Sequence, residues 1–366
     1  MMRLYPELTT PAAIVDLDRM ERNVAAMAAK LTESGIGHRP HIKSHKSLSI
    51  ARKQLEAGAI GITAAKLSEA ETFAAAGFSS ILIAYPLIGA DKLERFAALH
   101  ERIEMIAVVD SMVGADGLSA VGVRTGKPVQ ALVEIDGGLH RGGRQPGEDA
   151  VQFALAVQRL PGIEVAGVMG YFGTIYKHRD EAALRDAVRA ESDAIKDTVA
   201  RFRAAGLPVR IVSTGSTPAA AYSDALQGVT EVRAGNYIFY DATAVGMGIA
   251  TEEQCALRVV ATVVSAPMAG RATIDAGTKT LTSDKAPYRD GFGIVVGRPD
   301  VLITGLNEEH GYLQFPPEAE ALQVGDRVEI IPNHACVIPN LCDRLAGVRR
   351  GEFAEWIAVD ARGCNY

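Results

Sequence analysis

The chain has 366 residues, and 38 Lys and Arg against 44 Asp and Glu give a formal net charge of −6, which excludes a partner held through phosphate charge, either nucleic acid or an anionic membrane. Apolar residues at 48 % and charged residues at 22 % are ordinary globular usage and exclude a disordered or fibrous chain. No apolar run reaches the roughly 18 residues of a membrane span, and Met1 to Thr10 lacks the basic and apolar regions of a secretory signal, so a cytoplasmic protein is expected.

The first predicted elements are a strand and helix, AAIVDLDRMERNVAAMAAKLTESG, expected to cover one end of the domain that begins at His38. From His38 to Asp241 short β-branched runs alternate with alanine-rich amphipathic stretches, the pattern of repeated βα units. Eight strands are predicted: HRPHIK (38–43), AIGITA (59–64), ILIAY (81–85), EMIAVV (104–109), VQALVEID (129–136), EVAGVMGY (164–171), VRIVST (209–214) and EVRAGNYIFY (231–240). Eight strands with seven intervening helices fit a (β/α)8 TIM-type barrel better than an open sheet. Beyond Asp241, ALRVVATVVSA, RATIDAG and GDRVEIIPN are short strands separated by Gly, Pro and Asp. The expected organisation is an α/β barrel over 1–254 and a C-terminal all-β domain over 255–366.

Active sites of such barrels lie where the strands end at their C-termini. In Arg39-Pro40-His41-Ile42-Lys43-Ser44-His45-Lys46 an extended backbone puts His41, Lys43 and His45 on one face. A lysine among cations in a barrel mouth is poised as a neutral amine for Schiff-base chemistry. The run equally fits a solvated basic loop leading into a helix. After the seventh strand, Ser213-Thr214-Gly215-Ser216-Thr217 offers hydroxyls, a glycine and a helix start for an anion, and Gly235-Asn236-Tyr237 adds a second close-approach glycine after the eighth. Loops seven and eight are the usual phosphate site of barrels, so with Lys43 they describe a phosphate-bearing carbonyl cofactor, pyridoxal 5′-phosphate. In Pro332-Asn333-His334-Ala335-Cys336, imidazole and thiolate at i and i+2 of an extended segment face the same way, a two-ligand clamp for a divalent metal such as zinc or manganese. A buried histidine beside a buried cysteine is the alternative. Cys255, Cys342 and Cys364 read as core or surface groups, with no CxxC pair and too few cysteines for a disulfide framework.

Thr10-Pro11-Ala12, Asp16-Leu17-Asp18, Asn23 and the Arg39 to Lys46 run resemble the D-threonine aldolase and D-serine dehydratase family. So do Glu134-Ile135-Asp136 with Arg141, Gly170-Tyr171-Phe172-Gly173, Glu231 to Tyr237, Asp275-Ala276-Gly277, Glu308-Glu309-His310-Gly311 and Pro332 to Cys336. The resemblance covers nearly the whole chain in order. It implies the alanine-racemase-like fold, Lys43 and not Lys46 as the cofactor lysine, and His334 and Cys336 as holders of a divalent metal. It also implies a small D-β-hydroxy amino acid as substrate and a homodimer whose barrel mouths are closed by the neighbour's β domain. Arg141 is then the candidate for the pyridine nitrogen, and Tyr171 for shaping the pocket or stacking on the ring. His45 and His310 are lesser candidates for a base or for contact with metal-bound water.

Two reactions fit. Family aldolases carry His-x-Asp at the metal and eukaryotic dehydratases His-x-Cys, so Cys336 leans toward dehydration. Tyr171-Phe172-Gly173 matches the aldolase form, while Tyr176 resembles the dehydratase tyrosine. The expectation is a pyridoxal-phosphate- and metal-dependent lyase of D-threonine aldolase type, giving glycine and an aldehyde, with D-serine dehydratase chemistry as the alternative. The same barrel also performs racemisation. A non-catalytic pyridoxal-phosphate carrier would lack residues 255–366 and their clamp.

Overall fold

The computed structural model describes residues 4–366. In chain order, β1 (Ala12–Asp16) and the helix Leu17–Glu33 precede eight short strands: β2 (Gly37–His38), β3 (Ile62–Ala64), β4 (Ser80–Ile83), β5 (Glu104–Val109), β6 (Val129–Asp136), β7 (Ile163–Tyr171), β8 (Ile211–Thr214) and β9 (Glu231–Val232). These eight form one parallel sheet in the order β2-β9-β8-β7-β6-β5-β4-β3. Its two ends meet at a parallel bridge between His41 and Thr63, where Ile60 N donates to His38 O at 2.8 Å and Thr63 N to Pro40 O at 2.9 Å. The sheet therefore closes on itself, and each crossover carries a helix, from Leu48–Glu56 after β2 to Thr217–Ala221 after β8. Leu82, Ile106, Val108, Leu132, Ala166 and Met169 pack into one buried cluster from four consecutive strands. Each of these side chains other than Ala166 contributes about 1.5–3 kcal/mol by leaving water.

β2 and β9 are the barrel strands most shortened relative to expectation. At β2 the ladder runs only to His38, because Pro40 has no N–H to donate, and the chain then turns through a 3-10 segment, Ile42–Ser44. At β9 the ladder ends at Val232, and a second 3-10 turn, Asn236–Ile238, replaces the expected extended run to residue 240.

The remaining strands are β10 (Leu257–Met268), β11 (Arg271–Ile274), β12 (Ile294–Val295), β13 (Leu302–Leu306), β14 (Gly311–Gln314), β15 (Arg327–Ile331), β16 (Arg344–Arg349) and β17 (Glu352–Ala358). With β1 they make a nine-stranded sheet in the order β13-β14-β11-β10-β1-β16-β17, β15 pairing with β10 and β12. The N-terminal strand, expected from sequence to cover one end of the barrel, is a strand of this β sheet. Its apolar Ala-Ala-Ile-Val run fills the slot between β10, antiparallel to it, and β16, parallel to it. Ile14 there joins Leu8, Val260, Ala346 and Val348 in a core.

By compactness the chain divides into two units that interleave in sequence. One takes residues up to Ala25, Ser44–Ser49 and Asn236–Arg362; the other takes Ala26–Lys43, Ile50–Gly235 and Gly363–Tyr366. Among the described residues, no helix is long and apolar enough to cross a membrane.

Candidate active site

In the barrel unit, Lys43 sits in the turn that comes after β2 and is exposed. Tyr171 ends β7 in register with Asp136 of β6, and both are carried to the same end of the barrel. The loop between Asp136 and Gly143 is built on two carboxylates. Asp136 accepts from Gly138 N and His140 N at 3.0 Å, from His140 Nδ1 at 2.5 Å and from Gln145 Nε2 at 3.2 Å, while Asp110 accepts from Gly143 N at 3.0 Å. The donors hold the Asp136 carboxyl below the usual carboxylate range, against the opposing effect of desolvation. That scaffold lays Arg141 across Tyr171, its guanidinium carbon 5.0 Å from the ring centroid. Glycine is required on both sides of the tyrosine. A Cβ on Gly137 would stand 2.2 Å from Tyr171 O, and one on Gly173 would stand 2.7 Å from Tyr171 Cε1.

The loops after β8 and β9 are largely buried. Ser213 and Thr214 are fully buried. Ser213 Oγ donates to Glu231 Oε1 at 2.8 Å and accepts from Arg233 Nη1 at 2.8 Å; Glu231 also takes Arg39 Nε at 3.0 Å. Thr214 Oγ1 donates to Glu191 Oε1 at 2.5 Å, and Gly215 N to the same oxygen at 3.1 Å. Both hydroxyls expected to face a phosphate are thus tied to interior carboxylates. Gly215 adopts φ +84°, Ser216 caps the short helix Thr217–Ala221 by accepting from Ala219 N at 3.3 Å, and Thr217 is buried in that first turn. Gly235 is buried, and Tyr237 lies in the core at 1 % exposure.

Glu191 is the unexpected member. It lies on the helix Glu181–Ala204, is 2 % exposed, and burial pushes its carboxyl up to about 7 despite the Thr214 and Gly215 donors and the nearby Arg233. A carboxyl whose folded pKa stands above its unfolded value near 4.5 gives stability that is whole below that value and lost as pH rises through 7. Glu191→Gln has no such proton to lose. The stability of the native chain relative to this variant is expected to fall by about 3 kcal/mol between pH 4.5 and pH 8. Denaturant titrations of both proteins check it, and parallel stability–pH curves would show that Glu191 does not hold its proton.

In the β unit, His334 and Cys336 come together, though not by strand alternation. Only His334 is extended, at φ −138° and ψ 119°; Ala335–Leu341 is a 3-10 helix that swings Cys336 back toward the imidazole. The segment is strapped in place. Pro332 O accepts from Ala242 N at 3.0 Å, and Asn333 Nδ2 donates to Asp284 O at 3.0 Å and Gly291 O at 2.9 Å. His334 Nδ1 lies 3.1 Å from Asp241 Oδ2, and Cys336 Sγ lies 3.2 Å from Ser44 Oγ and 3.5 Å from Asn236 Oδ1. The negative charge available on Cys336, assisted by Asp241, raises the His334 imidazole to about 11. Asn236, read from the sequence as a cofactor residue, commits its amide to this cluster, donating from Nδ2 to Asp241 at 2.8 Å. Among the described residues no group of three or more His, Cys, Asp or Glu side chains is placed to hold a metal. The nitrogen and sulfur donors still suit a borderline divalent cation, with the other positions left to water or substrate oxygens.

Two further members of the basic run, His45 and Lys46, lie in this unit. His45 is fully buried and its Nδ1 accepts from Ser47 N at 3.1 Å; Lys46, 4 % exposed, donates from Nζ to Asn340 Oδ1 at 3.0 Å. The two lysines of the run thus differ in burial, Lys43 being exposed and Lys46 not. Asp241 and Glu191 carry no sequence signal, because an acid at a helix start or on a helix face looks the same whether solvated or buried.

Residues 15–243 match the family model described as "Alanine racemase, N-terminal domain", and residues 256–348 that described as "Putative serine dehydratase domain". The chain is 38 % identical to a D-threo-3-hydroxyaspartate dehydratase of Delftia sp. over 90 % of this chain and 91 % of that one. It is 33 % identical to a D-threonine aldolase of Arthrobacter sp. over 97 % and 93 %. The crystal structure of a D-threonine aldolase from Filomicrobium marinum superimposes with a TM-score of 0.90 at 34 % identity, covering 98 % of this chain and 97 % of the other. The barrel with its exposed strand-end lysine, the β unit and these relatives leave one assignment: the chain belongs to the D-threonine aldolase and D-serine dehydratase family of alanine-racemase-like pyridoxal-phosphate enzymes, and is a lyase.

Proposed function

We propose that the chain is a pyridoxal-phosphate- and divalent-metal-dependent lyase of D-configured β-hydroxy amino acids, and that it eliminates water to give a keto acid and ammonia. The observation that carries this is the convergence of His334 and Cys336, a donor pair of the His-x-Cys kind that the resemblance associates with dehydratases. The dehydratase from Delftia sp. is also more similar in sequence than the Arthrobacter aldolase, at 38 % against 33 % identity. This reverses the order expected from the Tyr171-Phe172-Gly173 segment. Aldol cleavage remains the second reading because Gly173 does give Tyr171 its close seat.

When bound, the cofactor supplies an electron sink and the cation, zinc or manganese, a Lewis acid for the β-hydroxyl. Lys43 would carry the cofactor and exchange a proton at the substrate Cα. Arg141 would face the pyridine nitrogen as a donor that keeps its own proton, and Tyr171 would wall the ring. Ser216, Thr217 and the Gly235 turn would take the phosphate through backbone N–H groups, since Ser213, Thr214 and Gly215 N already serve Glu231 and Glu191. Elimination makes no demand on His45, whose ring is buried, whereas aldol cleavage requires a base for the hydroxyl proton. A homodimer is part of this reading. Its support is the exposed apolar side chains of the loops after β4 and β6 and of the first helical turn after β5, namely Tyr85, Ile88, Leu139, Met112 and Val113.

The test incubates enzyme loaded with cofactor and metal with D-threo-3-hydroxyaspartate, D-serine and D-threonine, and identifies the products. Keto acid with equimolar ammonia is expected. Glycine with an aldehyde would establish the aldol reading instead, and an L-amino acid as the sole product would make the chain a racemase.

A further inference from the structure

Asp241 is a carboxylate with no exposure to solvent and four donors around it. Oδ1 accepts from Ala244 N at 3.0 Å and so caps the helix Ala242–Gly246; Oδ2 accepts from Asn236 Nδ2 at 2.8 Å, His334 Nδ1 at 3.1 Å and Ala335 N at 3.0 Å. A helix cap needs only one oxygen. The second oxygen is taken by the imidazole, by the backbone beside it, and by an amide whose own oxygen faces Cys336 Sγ at 3.5 Å. One buried acid thus touches one member of the His334/Cys336 pair directly and the other through Asn236.

We propose that Asp241 is the positioning residue of the divalent-metal site, fixing the orientation and tautomer of His334, with Asn236 as the strut that carries the same constraint to Cys336. This rests on the reading of His334 and Cys336 as the metal pair. A proton held on Nδ1 by Asp241 leaves the Nε2 lone pair to the cation, and the Ala335 N–H bond fixes the peptide between the two donors. With only two side-chain donors, the entropy of aligning them weighs more heavily than in a site of four, so preorganisation counts for more.

The test titrates Zn2+ against a chromogenic chelator in metal-stripped, cofactor-loaded enzyme. Asp241→Asn is expected to weaken Zn2+ binding about 10- to 100-fold with cofactor occupancy unchanged; Asn236→Ala weakens it by a smaller factor. With Co2+ as probe, the ligand-field bands of Asp241→Asn shift while the thiolate charge-transfer band persists, a signature that a loss of folding stability does not produce. Unchanged Zn2+ affinity in Asp241→Asn overturns the proposal. If that variant does not fold, Asn236→Ala decides, and unchanged affinity there overturns it. His334→Ala separates the two possible failures. If it keeps full Zn2+ binding, the assignment of the metal pair falls; if it loses binding while Asp241→Asn keeps it, only the positioning role falls.

Discussion

Lys43→Ala is expected to lose the borohydride-reducible attachment of pyridoxal phosphate, and with it about 10⁴-fold or more of turnover, while folding as the native chain does. The side chain is exposed and lies in a 3-10 turn after β2, so its truncation removes no core contact and changes stability by about 0.5 kcal/mol or less. Lys46→Ala should give the opposite pattern. Lys46 is 4 % exposed, holds Asn340 Oδ1 at 3.0 Å and accepts Ala361 N on its carbonyl at 3.0 Å, at a backbone φ of +52°. Removing the ammonium of this buried lysine takes a donor from the half-buried Asn340 amide and costs about 1 kcal/mol of stability, with the cofactor still attached. Absorbance of the bound cofactor, borohydride trapping and denaturant midpoints on the two variants separate the roles. A reducible attachment that survives in Lys43→Ala and vanishes in Lys46→Ala would exchange them.

The contrast between these lysines shows where sequence reading stops. β5 and β6 are legible to the residue, because a run rich in Val, Ile, Leu and Ala between turn residues marks a largely buried strand. β2 and β9 read too long from sequence, since a run such as EVRAGNYIFY has strand composition throughout, yet ladder pairing ends at Val232. The partners of β1 are not legible either. Val15 pairs with Leu257 and with Gly347, and no local pattern encodes a pairing across most of the chain. Candidate chemistry obeys the same rule. Lys43, Tyr171, His334 and Cys336 stand out by residue type and spacing, whereas Glu191 and Asp241 matter because three-dimensional packing strips them of water. The inward turn of Ser213 and Thr214 is likewise invisible in sequence, because the interior acids that claim their hydroxyls come from Glu231 and Glu191, 18 and 23 residues away.

His334→Ala should reduce kcat by about 10²-fold or more, with the cofactor retained. The loss of a Lewis acid at a leaving hydroxyl is worth several kcal/mol of transition-state stabilisation, and each 1.36 kcal/mol is tenfold in rate. Because the fold offers two side-chain donors rather than four, deleting one leaves Cys336 alone, and millimolar Zn2+ or Mn2+ should not restore the rate. Stripping the native enzyme with a chelator should reproduce the kcat of the variant, and returning metal should rescue the native chain but not His334→Ala. Cofactor attachment is proposed to lie at Lys43 and should be untouched in every one of these samples, so visible absorbance serves as the internal control. The fold should survive as well. His334 is half-buried, and the strap that fixes its segment runs through Asn333 to Asp284 and Gly291 and through Pro332 to Ala242, with no part played by the imidazole. Full activity in a chelator-stripped enzyme, or in His334→Ala, would mean that the hydroxyl leaves without a cation. The pair would then be a structural contact, and the reaction would have to draw its acid from the barrel loops.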